Sequence, residues 1–257
     1  MAHRGRHRSV AYFVVMNDIH SSAPTTLEPP DDLAFKASRP YPGDSPEYRK
    51  ARTALLAEEI ELRRHIERVA ALRRALPPGG EARDYRFTDE HARELGLADL
   101  FGRHETLISY FWMYGPERER PCPMCTAFLG SIDIPSKDIS QRIAIAAIGR
   151  SPVERQLAFA RERGWKHLKF YATVGDDFAR DYRGLAPDGS EWPALDVWVQ
   201  RDGKVFHFWG AELGDTSDPG QDPRGAPDPT PLWNILDLTP AGRGVDWYPK
   251  LDYPSAG

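Results

Sequence analysis

"TLISYFWMYGPERERPCPMCT", residues 106 to 126, joins an apolar run to the only two cysteines of a 257-residue chain. From Leu107 to Tyr114 nearly every position is apolar or aromatic. That pattern marks a strand buried on both faces, not one with a wet side. After a charged connection, Cys122 stands directly before Pro123. The pair reads as a helix N-cap followed by proline at the first helical position, where a missing N–H loses no bond. The amides of Met124 and Cys125 then point at the Cys122 sulfur, and the positive end of the helix dipole favours thiolate over thiol. Arg118 and Arg120, just upstream, are candidates to add positive charge. Cys125 lies one turn along the same side, within reach of a disulfide to Cys122. An exposed, acidic thiol with a partner one turn behind it is what thiol–disulfide exchange requires.

The rest of the chain supplies strands and helices around this junction. "DYRF" reads as a short strand, "LADLFG" as a turn-like segment, and "RIAIAAIG" and "LKFYAT" as strands. "SPVERQLAFARERGW" and "GDDFARDYRG" read as helices, the first capped by Ser151. In "ALDVWVQRDGKVFHFWG", Asp202-Gly203 is a two-residue hairpin turn between alternating runs. That register pairs Arg201 with Lys204, Val199 with Phe206 and Val197 with Phe208. It puts Leu195, Val197, Val199, Phe206 and Phe208 on the core face, with Trp198, Val205 and His207 on the other. Residues 215 to 231 form a Pro/Gly/Asp-rich loop, and a final helix begins at Pro231. Parallel strands joined by helices and closed by an antiparallel hairpin make a mixed sheet with helices on both faces, the plan of the thioredoxin fold.

Ahead of this lies a different pattern. An irregular arm covers 1–44. A helix starts at the Ser45-Pro46 cap and fills the segment 45–80 up to the Pro/Gly break. Tyr48, Leu55, Leu62, Val69 and Leu76 recur at heptad spacing on it, with Ala51 and Ile66 alongside. This narrow stripe packs either on the chain's own domain or against a second copy, so a homodimer through the helix of residues 45–76 is the alternative. The sheet-bearing domain is expected over 81–245 and a tail over 246–257.

Composition narrows the function classes. A net charge of -4 argues against a nucleic-acid binder. No apolar run approaches the length that spans a bilayer. Arg4, Arg6 and Arg8 precede "VAYFVVM", but that run is short and ends at Asn17-Asp18. No export signal is expected, Met16 is an alternative start, and the expected compartment is the cytoplasm. A cysteine pair there is more often catalytic or metal-binding than a structural staple. Structural zinc wants four ligands, whereas there are two cysteines and eight scattered histidines. Neither metal nor cofactor is therefore expected. A metal held by both thiolates and His207 is the competing idea, against a His207 that simply packs across the hairpin from Trp198.

The runs "ARTALLAEE", "LADLFG", "LISYFWMYGPE", "IGRSPVERQLAFARERGW", "GDDFARDY", "GKVFHFW" and "NILDLTPAGRG", with the cysteine pair in their midst, resemble a bacterial thioredoxin-like family of unknown function. Its members are labelled dithiol–disulfide oxidoreductases. The likeness extends over about residues 45 to 245. It implies that Cys122 attacks and Cys125 resolves. It also implies that Pro193, just before the first hairpin strand, takes the place of the cis-proline that faces the disulfide. Trp192 and Trp112 are candidates for substrate contact; in a binding-module reading they would hold a small molecule with Phe111 and Trp198, although such aromatic residues are more often core than pocket. The partner so implied is a disulfide-containing protein or a small-molecule thiol. The Pro-Met dipeptide departs from the Gly-Pro of thioredoxin itself. The segment "GWKHLKFYATVGDDFARDY" also resembles peroxiredoxins. A peroxidase would use Cys125, but Cys122 replaces the Thr or Ser hydroxyl that binds peroxide in that family. A non-catalytic binding or scaffold module is the remaining alternative.

Overall fold

The computed structural model describes residues 26–77, 79–211, 231 and 248–252. The basic N-terminal stretch, nearly all of the loop expected over 215–231, the helix expected from Pro231 and the end of the tail lie outside the described residues. The chain divides into two units, Met1–Ala75 and Leu76–Gly257.

In the first unit, helix α1 (Pro30–Ala37) packs on helix α2 (Pro46–Arg74). α2 begins where its local chemistry dictates. The Ser45 hydroxyl accepts from the Tyr48 amide at 3.1 Å, and Pro46 occupies the first helical turn. α1 stands inside the segment that reads as an irregular arm. Its N-cap is Pro29, which offers no capping side chain, so the start is marked only by Pro30 and the acidic Asp31 and Asp32 of the first turn. Burial holds it instead: Ala34 is fully buried. The buried Arg64 of α2 also reaches the Glu28 carbonyl (2.6 Å) and the Glu61 carboxylate (2.7 Å). Along α2, Tyr48, Leu55, Leu62 and Ile66 of the heptad stripe are each more than half exposed.

The second unit is built on a seven-stranded sheet in the order β2-β1-β5-β4-β3-β6-β7. The strands are β1 (Arg86–Thr88), β2 (Glu94–Gly96), β3 (Thr106–Trp112), β4 (Ala144–Gly149), β5 (Lys169–Thr173), β6 (Ala194–Arg201) and β7 (Lys204–Gly210). Central β3 pairs in parallel with β4 and antiparallel with β6. β4 and β5 are parallel, while β1 runs antiparallel to both β2 and β5. Helices α3 (Pro123–Ile139) and α4 (Val153–Glu162) make the two crossovers. Their buried Phe128, Leu129, Val153, Phe159 and Ala160 cover one sheet face with Tyr110, Trp112 and Leu195. The 3-10 turn Leu97–Phe101 and helix α5 (Asp177–Asp181) cover the other, packing Leu100, Phe101 and Phe178 around Phe111, Trp198 and Val205. This is a thioredoxin-like fold. The α4–β5 connection is fixed to α3 by the buried Asp133 carboxylate, which accepts from the amides of Lys166, His167 and Leu168 at 2.9–3.1 Å. The α4 cap differs slightly from the reading above: it is Pro152, and Ser151 is fully buried one residue earlier.

The hairpin corrects one expectation. Asp202 and Gly203 turn with φ of 51° and 74°, the backbone of a type I′ turn. Arg201 faces Lys204 and Val199 faces Phe206, as the turn chemistry requires. The register then slips between Val197 and Trp198, so that Val197 opposes Trp209 and not Phe208. Trp198 and Val205 are the deeply buried residues, while Val197, Val199, Phe206 and Phe208 are only half-buried. Two causes act together. The bulge re-aims the strand, and helices cover both sheet faces, so alternation does not identify a single core side.

Candidate functional site: a thiol pair at the mouth of helix α3

Cys122 is the N-cap of α3 and Pro123 takes the first helical turn. The loop from Met113 to Pro121 presents it. The Cys122 amide donates to the Met113 carbonyl (3.1 Å), and the Cys122 carbonyl accepts from both the Thr126 amide (3.0 Å) and its hydroxyl (2.9 Å). Arg155 of α4 braces the loop from beneath. It donates to the carbonyls of Glu119 (2.9 Å), Arg118, Gly115 and Pro116, with its guanidinium over the Tyr114 ring at 4.6 Å.

The two thiols are free and differ in surroundings. Cys122 is half-buried, whereas Cys125 is 1% exposed inside the apolar layer under α3. The Cys125 thiol donates to the Cys122 sulfur, the largest influence lowering the Cys122 pKa to about 6; burial opposes it, and the amides of Cys125 and Met124 and the Arg118 charge reinforce it. The same bond and burial push Cys125 well above the ordinary thiol range. Of the two upstream arginines only Arg118 bears on the sulfur. Arg120 is diverted into a forked pair with Glu162 (2.7 and 3.1 Å). Alkylation tests this asymmetry. The rate for Cys122 should rise with pH through a midpoint near 6 and plateau above it, because thiolate is the reacting species. Cys125 should stay unlabelled in the folded protein. Mass spectrometry of peptides after timed iodoacetamide pulses reads both.

Tyr110 is a site residue that sequence reasoning missed. It lies on the α3 side of β3 with its ring 4.3 Å from that of Phe128, and its hydroxyl is hydrogen-bonded to the Cys125 sulfur. Burial above all keeps the phenol protonated far above its usual pKa. Its signal in the sequence was weak, a phenol hydroxyl in a run that also carries the hydroxyls of Ser109 and Tyr114.

The remaining predicted residues separate. Pro193 directly precedes β6, whose Ala194 pairs with Phe111. Trp192 is 49% exposed. With Pro193, Tyr182, Asp196 and His207 it borders a cavity of about 550 Å³. Trp112 does not belong to this surface. It is fully buried among Tyr114, Phe159, Trp165 and Phe170, so its assignment to substrate contact is corrected: it is core. Phe111 and Trp198 are buried as well. The burial follows from β3 lying at the centre of a sheet covered on both faces. His207 hydrogen-bonds Asp196 (2.7 Å) and packs on Trp198 at 5.0 Å, on the sheet face opposite Cys125. Among the described residues no three His, Cys, Asp or Glu side chains gather as a metal site. No helix among them is long and apolar enough to cross a membrane.

Residues 38–253 match a family model described as a bacterial protein of unknown function, DUF899. No curated protein matches the chain. Three solved structures illustrate the more distant likenesses. Reduced 2-Cys peroxiredoxin of Plasmodium vivax is 17% identical, with 50% of this chain and 81% of that one covered and a TM-score of 0.37. An exposed lipoprotein thioredoxin of Streptococcus pneumoniae is 14% identical, with coverages of 48% and 85% and a TM-score of 0.35. A peroxidoxin of Mycobacterium tuberculosis is 17% identical, with coverages of 51% and 82% and a TM-score of 0.38.

Proposed function

The chain belongs to this bacterial DUF899 family, and we propose that its Cys122–Cys125 pair carries out dithiol–disulfide exchange. One observation carries the reading: a half-buried thiol at a helix N-terminus, held acidic, with a buried second thiol hydrogen-bonded to it one turn behind. The Cys122 thiolate attacks one sulfur of a substrate disulfide. That S–S bond breaks, a Cys122–substrate disulfide forms, and the first substrate sulfur leaves as thiolate. Cys125 gives up its proton to that leaving thiolate and attacks the Cys122 sulfur. The second substrate sulfur departs and takes up a proton from solvent. The substrate gains two electrons and the protein ends as the Cys122–Cys125 disulfide.

Tyr110 donates its hydroxyl hydrogen to Cys125 as that sulfur becomes thiolate in the apolar layer, where an unassisted anion would be costly. The substrate in this reading is a disulfide-containing protein or small-molecule thiol that reaches Cys122 at the mouth of α3, while Trp192 and Pro193 border a cavity whose lining includes neither cysteine. A peroxidase centred on Cys125 fits less well, because that thiol is buried and held protonated.

The test is equilibration in graded thiol–disulfide buffers. Stabilising the thiolate stabilises the reduced pair, which raises the potential. The expected potential lies within the range of thioredoxin-fold exchangers, about -270 mV to about -120 mV. Failure to form an internal disulfide anywhere in that range sinks the reading and leaves a binding module.

A further inference from the structure

Glu191 lies far from Cys122 in sequence and carries a buried carboxylate that the exchange steps above do not use. Its side chain is 6% exposed. One oxygen accepts from the Gly115 amide (3.0 Å) and from Arg118 Nε (2.9 Å), and the other faces Arg150 at 3.4 Å. Arg150 is otherwise held by Asp176 at 2.8 Å. The niche is shaped for this carboxylate: a Cβ on Gly115 would stand 2.2 Å from its Oε1, so only glycine admits it there. Two residues on lies Pro193, and the bond to Gly115 fastens that segment to the loop that presents Cys122.

Arg118 without this bond is a long, flexible side chain with its charge free to move into water. With it, the guanidinium is anchored through one nitrogen in a partly buried place. We propose that Glu191 is a positioning residue: it clamps Arg118 so that the guanidinium charge falls on Cys122. The inference rests on Cys122 being the attacking thiol. The influences on the Cys122 sulfur are the Cys125 thiol first, then burial and the amides of Cys125 and Met124, and last the charge of Arg118, which stands four residues upstream in the loop that presents it. Glu191 is bordered by Arg118 and Arg150. Arg120 and Arg155 are engaged with Glu162 and with loop carbonyls.

The proposal predicts a coupling with a sign that charge counting reverses. Removing a carboxylate near a thiol would by itself lower the thiol pKa. If the clamp matters more, Glu191→Gln raises it, because Arg118 drifts away. The midpoint of Cys122 alkylation against pH is measured in the full chain for the parent, Glu191→Gln, Arg118→Met and the double variant. Arg118→Met is expected to raise the midpoint by about half a unit to one unit. Glu191→Gln should raise it by a similar amount alone, but leave it unchanged or lower it once Arg118 is absent. A fall in the midpoint of the single Glu191→Gln variant overturns the proposal, as does the same shift with and without Arg118. If Glu191→Gln does not fold, Arg118→Lys decides. It keeps the charge but lacks the Nε that binds Glu191, so it should shift the midpoint nearly as far as Arg118→Met; a parent-like midpoint overturns the proposal. None of these readouts needs turnover. A pair that never forms an internal disulfide would defeat the exchange reading separately, and these shifts would still be measurable.

Discussion

Replacing Cys122 with serine should abolish disulfide exchange, with a loss on the order of a thousandfold or more. A serine hydroxyl carries almost no anion at neutral pH, and the helix terminus that makes the sulfur a thiolate cannot do the same for so weak an acid. Replacing Cys125 with serine should behave differently. Cys122 remains able to attack, yet nothing resolves the product, so the protein should accumulate covalently bound to its substrate. Non-reducing electrophoresis and intact-mass measurement distinguish the two variants. If Cys125→Ser turns over like the parent and no adduct forms, then Cys125 does not resolve, and the mechanism proposed for the pair is wrong. The adduct has a further use, since its mass identifies the substrate.

Trp198→Ala should be the most destabilising of the hairpin substitutions, at about 3–5 kcal/mol. The side chain is fully buried and packs on Tyr182, Phe178 and His207. Its indole N–H donates to the Ser109 hydroxyl at 2.8 Å, so truncation also leaves a buried polar group short of a partner. Val199→Ala, one position along on the opposite face, should cost only about 1 kcal/mol because that side chain is half-buried. Urea denaturation midpoints at constant slope test the contrast. Equal losses at the two positions, or a larger one at Val199, would contradict the placement of the core at the hairpin.

That contrast shows where local reading stops. The type I′ turn at Asp202-Gly203 is a property of two residues, and so is the Ser45-Pro46 helix start; each can be read from its own neighbourhood. The same holds for the Cys122-Pro123 junction, because an N-cap, a proline and a neighbour one turn on need no distant partner. The buried character of β3 follows from its unbroken apolar run. Together these are enough for a mixed sheet with the thiols at a strand–helix junction.

Four features required the assembled chain. The bulge at Val197/Trp198 and the helices on both sheet faces decided which hairpin side is core, since alternation marks two faces without ranking them. Burial set the fate of Trp112, an aromatic residue more often found in a core than lining a pocket. Helix α1 has no capping side chain and exists through its packing on α2. The last is the environment of the thiols. Tyr110 and Arg118 are close to the cysteines in sequence, but their effect depends on a hydroxyl aimed across a sheet face and on Glu191, 76 positions from the Gly115 amide it binds. Sequence by itself determined that a cysteine stands at a helix mouth with a second one turn behind it. Only tertiary structure decided which charges and hydroxyls reach it, because electrostatic influence follows distance in space and not separation along the chain.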